Sequence, residues 1–136
     1  MSSPETFNIV EQTLNGSWTT TPLVFENTDW QLPDEPAHFV YVEVFGDFYE
    51  QASIGAEPRS DNLWREGGQL YLHVMTKNGI GTSLARQYGK QLAGLFRGED
   101  IDGVHFVGGS IGAGEPGRSF PNYWAMTVTI NWERDE

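Results

Sequence analysis

Cysteine is absent from all 136 residues, which excludes thiolate nucleophiles, Cys-based zinc sites and disulfide scaffolds. Positive charge is scarce: 8 Lys and Arg stand against 19 Asp and Glu, a formal net charge of −11 with neutral histidines. Such a balance argues against a groove that neutralises nucleic-acid phosphates. No apolar run approaches the roughly 20 residues of a membrane span, so no membrane partner is expected. The start, Met1-Ser2-Ser3-Pro4-Glu5, lacks the basic and apolar regions of a secretory signal, and cytoplasmic synthesis is the expectation. What is present is enough for a core. Hydrophobic residues make up 38% and aromatics 13% of the chain, which disfavours disorder and suits a single domain over 1–136.

The charge is unevenly placed. Residues 1–58 hold ten acidic residues and neither Lys nor Arg, the first basic residue being Arg59. Residues 59–97 carry a surplus of +4, and residues 98–136 return to −5. A basic middle third between acidic flanks suits head-to-tail contact between identical subunits; solvation alone is the plainer reading.

Ser2-Ser3-Pro4-Glu5 reads as a helix start, with a Ser cap, Pro in the first turn and Glu5 at capping-box spacing from Ser2. Phe7, Val10 and Leu14 then form one apolar stripe, and Asn15-Gly16 is the expected stop. Leu23–Glu26 is a brief strand, followed by a connector whose Pro33 and Pro36 prevent regular pairing. Phe39–Phe45 is the clearest strand, with Val40, Val42 and Val44 on one face and Phe39, Tyr41, Glu43 and Phe45 on the other. Gly46-Asp47 reads as a turn and Phe48–Ile54 as an antiparallel return before an exposed loop with Pro58 and Arg59. A bend at Gly67-Gly68 opens the next strand, where Leu70, Leu72 and Val74 alternate with Tyr71, His73 and Met75.

Thr82 is offered as the cap of a second helix, whose Leu84, Tyr88, Leu92, Leu95 and Phe96 share a face. Gly89 and Gly94 each cost about 1 kcal/mol there relative to Ala, which close backbone packing would offset. Val104–Val107 reads as a short strand, Gly108–Arg118 as a glycine-rich loop, and Trp124–Trp132 as a final alternating strand. The expectation is therefore an α+β fold: an antiparallel, at most mixed, sheet with two helices on one face, in the order α-β-β-β-β-α-β-β.

No motif demands chemistry, and no cofactor is implied. Gly112–Ser119 has P-loop spacing, but Arg118 replaces the lysine, Pro116 removes a donor, and a strand follows where a helix should open. His38, His73 and His105 stand apart, with no His-x-x-x-His and no carboxylate at ligand spacing. Glu99-Asp100-Ile101-Asp102-Gly103 lacks the ligands that would complete a calcium loop and reads as a solvated turn. No Gly-x-Ser-x-Gly elbow presents a nucleophile, so neither catalytic nor metal residues are assigned. Trp18, Trp30 and Trp64 suit either protein contact or the pinning of loops to their own domain.

The succession of elements resembles the tail-terminator family of long-tailed bacteriophages and phage-like particles, with related phage domains of unknown function. The resemblance runs over nearly the whole chain: an N-terminal helix, Leu23-Val24-Phe25-Glu26-Asn27, a Pro-rich approach to Phe39-Val40-Tyr41-Val42, and Gln51–Gly55 before Arg59. It continues with Glu66–Leu70, Gly79-Ile80-Gly81 before a helix ending in Leu95-Phe96, and a last strand from Tyr123-Trp124 to Trp132. The resemblance implies a structural virion protein, not an enzyme, that forms a ring, usually hexameric, on the tail tube. Such a ring stops tube polymerisation and presents a surface to a head-completion or neck protein, with DNA only as passing cargo. Its place would be the virion tail, after assembly in the bacterial cytoplasm. Another head-tail connector, a minor tail protein or a monomeric binding module are the alternatives. Subunit or tube contacts would fall on Arg59, Arg65, Arg86, Lys90, Arg118, Asp34, Glu35 and Asp47. Acidic residues lining the lumen would repel the passing DNA.

Overall fold

A computed structural model of the chain describes residues 2–29, 38–52, 62–116 and 122–136. Two helices, α1 (Pro4–Ser17) and α2 (Ser83–Phe96), accompany six strands: β1 (Leu23–Phe25), β2 (Phe39–Gln51), β3 (Trp64–Lys77), β4 (Asp100–Ile101), β5 (Val104–Pro116) and β6 (Tyr123–Asp135). The strands form one sheet in the order β1-β2-β3-β6-β5-β4, curled into a half-barrel. Only β1 and β2 pair in parallel, so the sheet is mixed. The chain order is α-β-β-β-α-β-β-β, which corrects the expected succession in two places.

The first is the loss of a break at Gly46-Asp47, and the second is the extra strand β4 ahead of β5. Gly46-Asp47 is not a hairpin turn but a β-bulge, and β2 runs straight through it to Gln51 against β3. The strand opposite makes room: a Cβ on Gly68 would lie 1.9 Å from the Phe45 carbonyl oxygen, and one on Gly67 would lie 2.6 Å from the Phe48 ring. The pair read as a bend therefore sits inside β3 and receives the bulge. Residues 108–116, read as loop, belong to β5, whose register against β6 shifts twice, between Phe106 and Gly109 and between Ile111 and Gly114. A Cβ on Gly109 would lie 1.6 Å from the Thr129 carbonyl oxygen, so here too glycine permits close pairing, not an excursion. The acidic turn near Asp102 is a two-residue hairpin between β4 and β5, with Asp102 and Gly103 at φ 48° and 90°.

Alternation sorts the side chains into two faces. Val40, Val42 and Val44 of β2, Leu70, Leu72 and Val74 of β3, and Met126, Val128, Ile130 and Trp132 of β6 form one core with Val10 and Leu14 of α1 and Leu92 and Phe96 of α2. Both helices thus lie on one face of the sheet. Burying an aliphatic side chain there contributes about 1.5–3 kcal/mol relative to exposure. Gly89 packs its backbone against this core, where a Cβ would meet Val128 at 3.2 Å and Ile111 at 3.4 Å; Gly94 has open space around it.

Helix α1 starts one residue later than the capping-box spacing suggests. Ser3 is the N-cap and Pro4 follows it, while the role expected of Glu5 is taken by Glu66 of β3. That carboxylate, 4% exposed, accepts from the Thr6 hydroxyl at 2.6 Å, from the Ser3 backbone N–H at 3.2 Å and from the Ser3 hydroxyl. It sits at the positive end of the helix dipole and ties α1 to the sheet. At the other end the helix continues past Asn15-Gly16 to Ser17 before Trp18 ends it in extended backbone. Trp18 is buried, donates to Thr21 at 2.9 Å and meets Tyr88 of α2 edge-on, so it pins its own domain.

Candidate functional site

Among the described residues the second face of the sheet carries no helix. Its upper part is closed by a small cluster of Val24, Phe39, Met75 and Tyr123. Below it lies a ladder of half-buried polar and aromatic side chains at successive cross-strand positions. Tyr41 stacks on His73 at 5.9 Å, His73 on Tyr71 at 6.1 Å, and Phe45 tilts against Tyr71 at 6.5 Å. His73 Nε2 lies 2.5 Å from Glu43 Oε1, and Nδ1 lies 2.7 Å from Thr127 Oγ1. A carboxylate only accepts, so Nε2–H donates to Glu43, while Nδ1 shares the second hydrogen bond with the Thr127 hydroxyl. Burial first, then the Glu43 and Glu26 carboxylates, push the Tyr41 phenol above its usual range.

Carboxylate, imidazole and hydroxyl in line have the order of an acyl-transfer relay. Thr127 stands in the middle of β6, between positions paired with β3 and β5. The network ties three strands together and keeps the Tyr41, His73 and Tyr71 rings stacked. Such a surface suits recognition by contact. His105 pairs with Asp100 at 3.2 Å on the exposed β4–β5 hairpin, and His38 accepts weakly from the Lys77 backbone N–H at 3.4 Å. Among the described residues, no group of three or more His, Asp or Glu converges as metal ligands would.

The sheet's lateral edges differ from its faces. β1 covers β2 only at Val40–Val42, and β4 covers β5 only at Val104 and His105. Beyond these, Phe45–Glu50 and Val107–Gly112 have no strand partner on their outer side among the described residues. Four large apolar side chains stand exposed on these stretches: Phe45 at 47%, Tyr49 at 55%, Val107 at 55% and Ile111 at 43%. Alternation placed Phe45 opposite the core; no local signal marked the other three, since their exposure depends on the missing neighbour.

The structure treats the charged candidates unequally. Arg86 and Lys90 come together on one flank of α2 with Arg97, a residue the sequence reading did not single out. The opposite flank of α2 carries Tyr88, which faces α1 through Trp18. The three cations therefore stand away from α1, on the β5 side, exposed and without an ion pair among the described residues. Asp47 is exposed in the β2 bulge, beside Glu50, and lines an open cleft of about 350 Å³ with Ser2, Ser3, Phe48, Tyr49 and Glu66. Arg65 is not free: Nε and Nη2 donate to the two Asp135 oxygens at 2.6 and 3.1 Å. This fork holds the Asp135 carboxyl below the usual carboxylate range. Arg59, Arg118, Asp34, Glu35 and Trp30 lie outside the described residues. Among the described residues no helix is long and apolar enough to cross a membrane.

No family model matches this chain, and no curated protein matches it. A protein solved by NMR is similar over 98% of this chain and 96% of its own, with a TM-score of 0.63 at 19% identity. At that identity the likeness speaks to the fold alone.

Proposed function

We propose that the chain is a tail-terminator subunit, a structural protein whose copies form a ring on the end of a phage tail tube. The ring stops tube growth and offers its free surface to a head-completion or neck protein, while DNA passes through it as cargo. The observation that carries this reading is the one-sided sheet: both helices cover one face, and the other presents an ordered ladder of Tyr41, His73, Tyr71 and Phe45 with exposed apolar side chains at both lateral edges. A chain built for contact shows surface of this kind. The element succession that resembles the terminator family supports it further. Function on this reading lies in interfaces, with the virion tail as its place.

The test is light scattering after size exclusion at low and moderate salt, followed by electron microscopy with purified tail tubes. A closed ring, or a monomer that caps tube ends and halts their growth, is the expected result. A monomer that ignores tubes removes the reading and leaves the second one, a monomeric protein-binding module using the same aromatic ladder. Neutralising Glu43 and Asp47 together tests the acidic-lumen idea: unchanged DNA delivery removes it.

A further inference from the structure

The geometry points to a head-to-tail contact in which the free edge of β5 in one copy pairs with the free edge of β2 in the next, continuing the sheet from subunit to subunit. It deepens the ring reading and rests on it only in that copies associate.

Three observations carry it. The first is apolar exposure: Phe45 and Tyr49 on one edge, Val107 and Ile111 on the other, at 47, 55, 55 and 43%. Long edges with exposed apolar side chains template pairing with another chain, and a protein that keeps two of them has a use for both. The second is direction. β2 is antiparallel to β3, β3 to β6 and β6 to β5, so β5 runs opposite to β2. When a second copy is set beside the first with its helices on the same side, β5 meets β2 antiparallel. A β2–β2 or β5–β5 pair, made by a two-fold axis perpendicular to the sheet, would instead close at a dimer and leave the other edge unused. Because the two edges differ, the contact is heterologous and closes into a ring when the rotation allows.

The third observation is charge. Gly89 of α2 packs near Ile111, and Phe96 lies 5.0 Å from Phe106, so α2 runs along β5 with Lys90 and Arg97 flanking the free stretch and Arg86 beyond it. The β2 edge offers Asp47 and Glu50. The acidic Glu99, Asp100 and Asp102 stand on the β4 hairpin, at the covered end of β5. Cross-strand register sets Gly46 level with Phe106 and Val42 level with Ile111, so the free stretches stand at different heights. Full overlap slides one copy along the strands by about four residues, roughly 13 Å. That slide carries the β4 hairpin past the end of β2. In a closed ring it becomes a tilt of the strands, as stagger does in a barrel.

The test pairs two double variants, Phe45→Lys with Tyr49→Lys and Val107→Lys with Ile111→Lys, each checked for folding by circular dichroism. Wild-type protein at rising concentration should exceed 15.3 kDa by light scattering, with assembly weakened by salt. Each double variant should associate at least tenfold more weakly, and a one-to-one mixture, which restores a single intact β5–β2 contact, should return to twice 15.3 kDa. Backbone hydrogen exchange on the wild type needs no variant: the amides of 45–50 and 107–112 should slow as concentration rises. A wild type that stays at 15.3 kDa throughout, a variant that assembles like wild type, a mixture that stays monomeric, or exchange independent of concentration each overturns the contact. Rings that ignore tail tubes would keep the edge pairing and remove the terminator reading. Tube capping by both variants at wild-type level would do the reverse.

Discussion

The two halves of β2 both carry aromatic residues and both form strand, yet they are opposite in fate. Residues 39–44 alternate Phe, Val and Tyr and are buried or half-buried; residues 45–50 carry Phe45, Phe48 and Tyr49, yet Phe45 and Tyr49 are about half exposed. Both halves pair with β3 throughout. The difference is on the other side, where β1 covers the first half at Val40–Val42 and nothing described covers the second. Strand-forming residues therefore specify a strand; a neighbouring element decides whether it is interior or edge.

Substitutions in and around the two halves sharpen that contrast. The largest effect is expected from Leu72→Ala, which removes a fully buried side chain opposite Val42; denaturant unfolding should show a loss of about 2–5 kcal/mol. Tyr49→Ala, in the exposed half, should move the same midpoint by about 0.5 kcal/mol or less. A comparable loss from Tyr49→Ala in the isolated monomer would mean that the second half is covered after all.

Gly68→Ala comes next. Its Cβ would overlap the Phe45 carbonyl oxygen, so the bulge must move, at a cost of about 1–3 kcal/mol, with chemical-shift changes concentrated at 45–48. Wild-type stability would show that the register can slip. Smaller still are the two glycines of α2, which should respond with opposite sign. Gly94→Ala should stabilise by about 0.5–1 kcal/mol, because nothing lies within 4 Å of the new methyl group. Gly89→Ala should destabilise, since Val128 and Ile111 are already in contact range.

The smallest effect belongs to the exposed Arg65–Asp135 fork. Hydrogen bonding to Arg65 depresses the Asp135 pKa in the folded state, so its contribution is present above the ordinary carboxylate value, near 3.8, and is lost as pH falls through the folded value. Melting temperature compared between wild type and Asp135→Asn should differ slightly at neutral pH and converge in acid. A gap that widens in acid would reverse the sign.

Much of the fold was open to reading. The alternation in 39–45, 70–75 and 124–132 and both helices depend on residues two, three or four apart and appear as read, although the buried face of α2 is turned toward Ala85, Gly89 and Ala93, leaving Leu84, Tyr88 and Leu95 half-buried. The misreadings fall where glycine meets a non-local partner. Gly46-Asp47 has the chemistry of a turn and of a bulge alike, and what selects the bulge is Gly68, 22 residues away, with room for a carbonyl. Gly109 likewise answers to Thr129.

The charged residues follow the same division. Arg86 and Lys90 are four apart on a helix, so their shared flank was legible; Arg65 lost its freedom to Asp135, 70 residues on. His73 is isolated in sequence and held in space, by Glu43 and Thr127 from the strands on either side.

By itself the sequence determined the two helices and the alternating strands at 39–45, 70–75 and 124–132, because periodicity is a local property of the backbone. Tertiary structure alone decided where β2 and β5 run past their neighbours, which cations stand free over an edge, and which aromatics meet solvent. Each of those is settled by the presence or absence of a partner that sequence spacing does not encode.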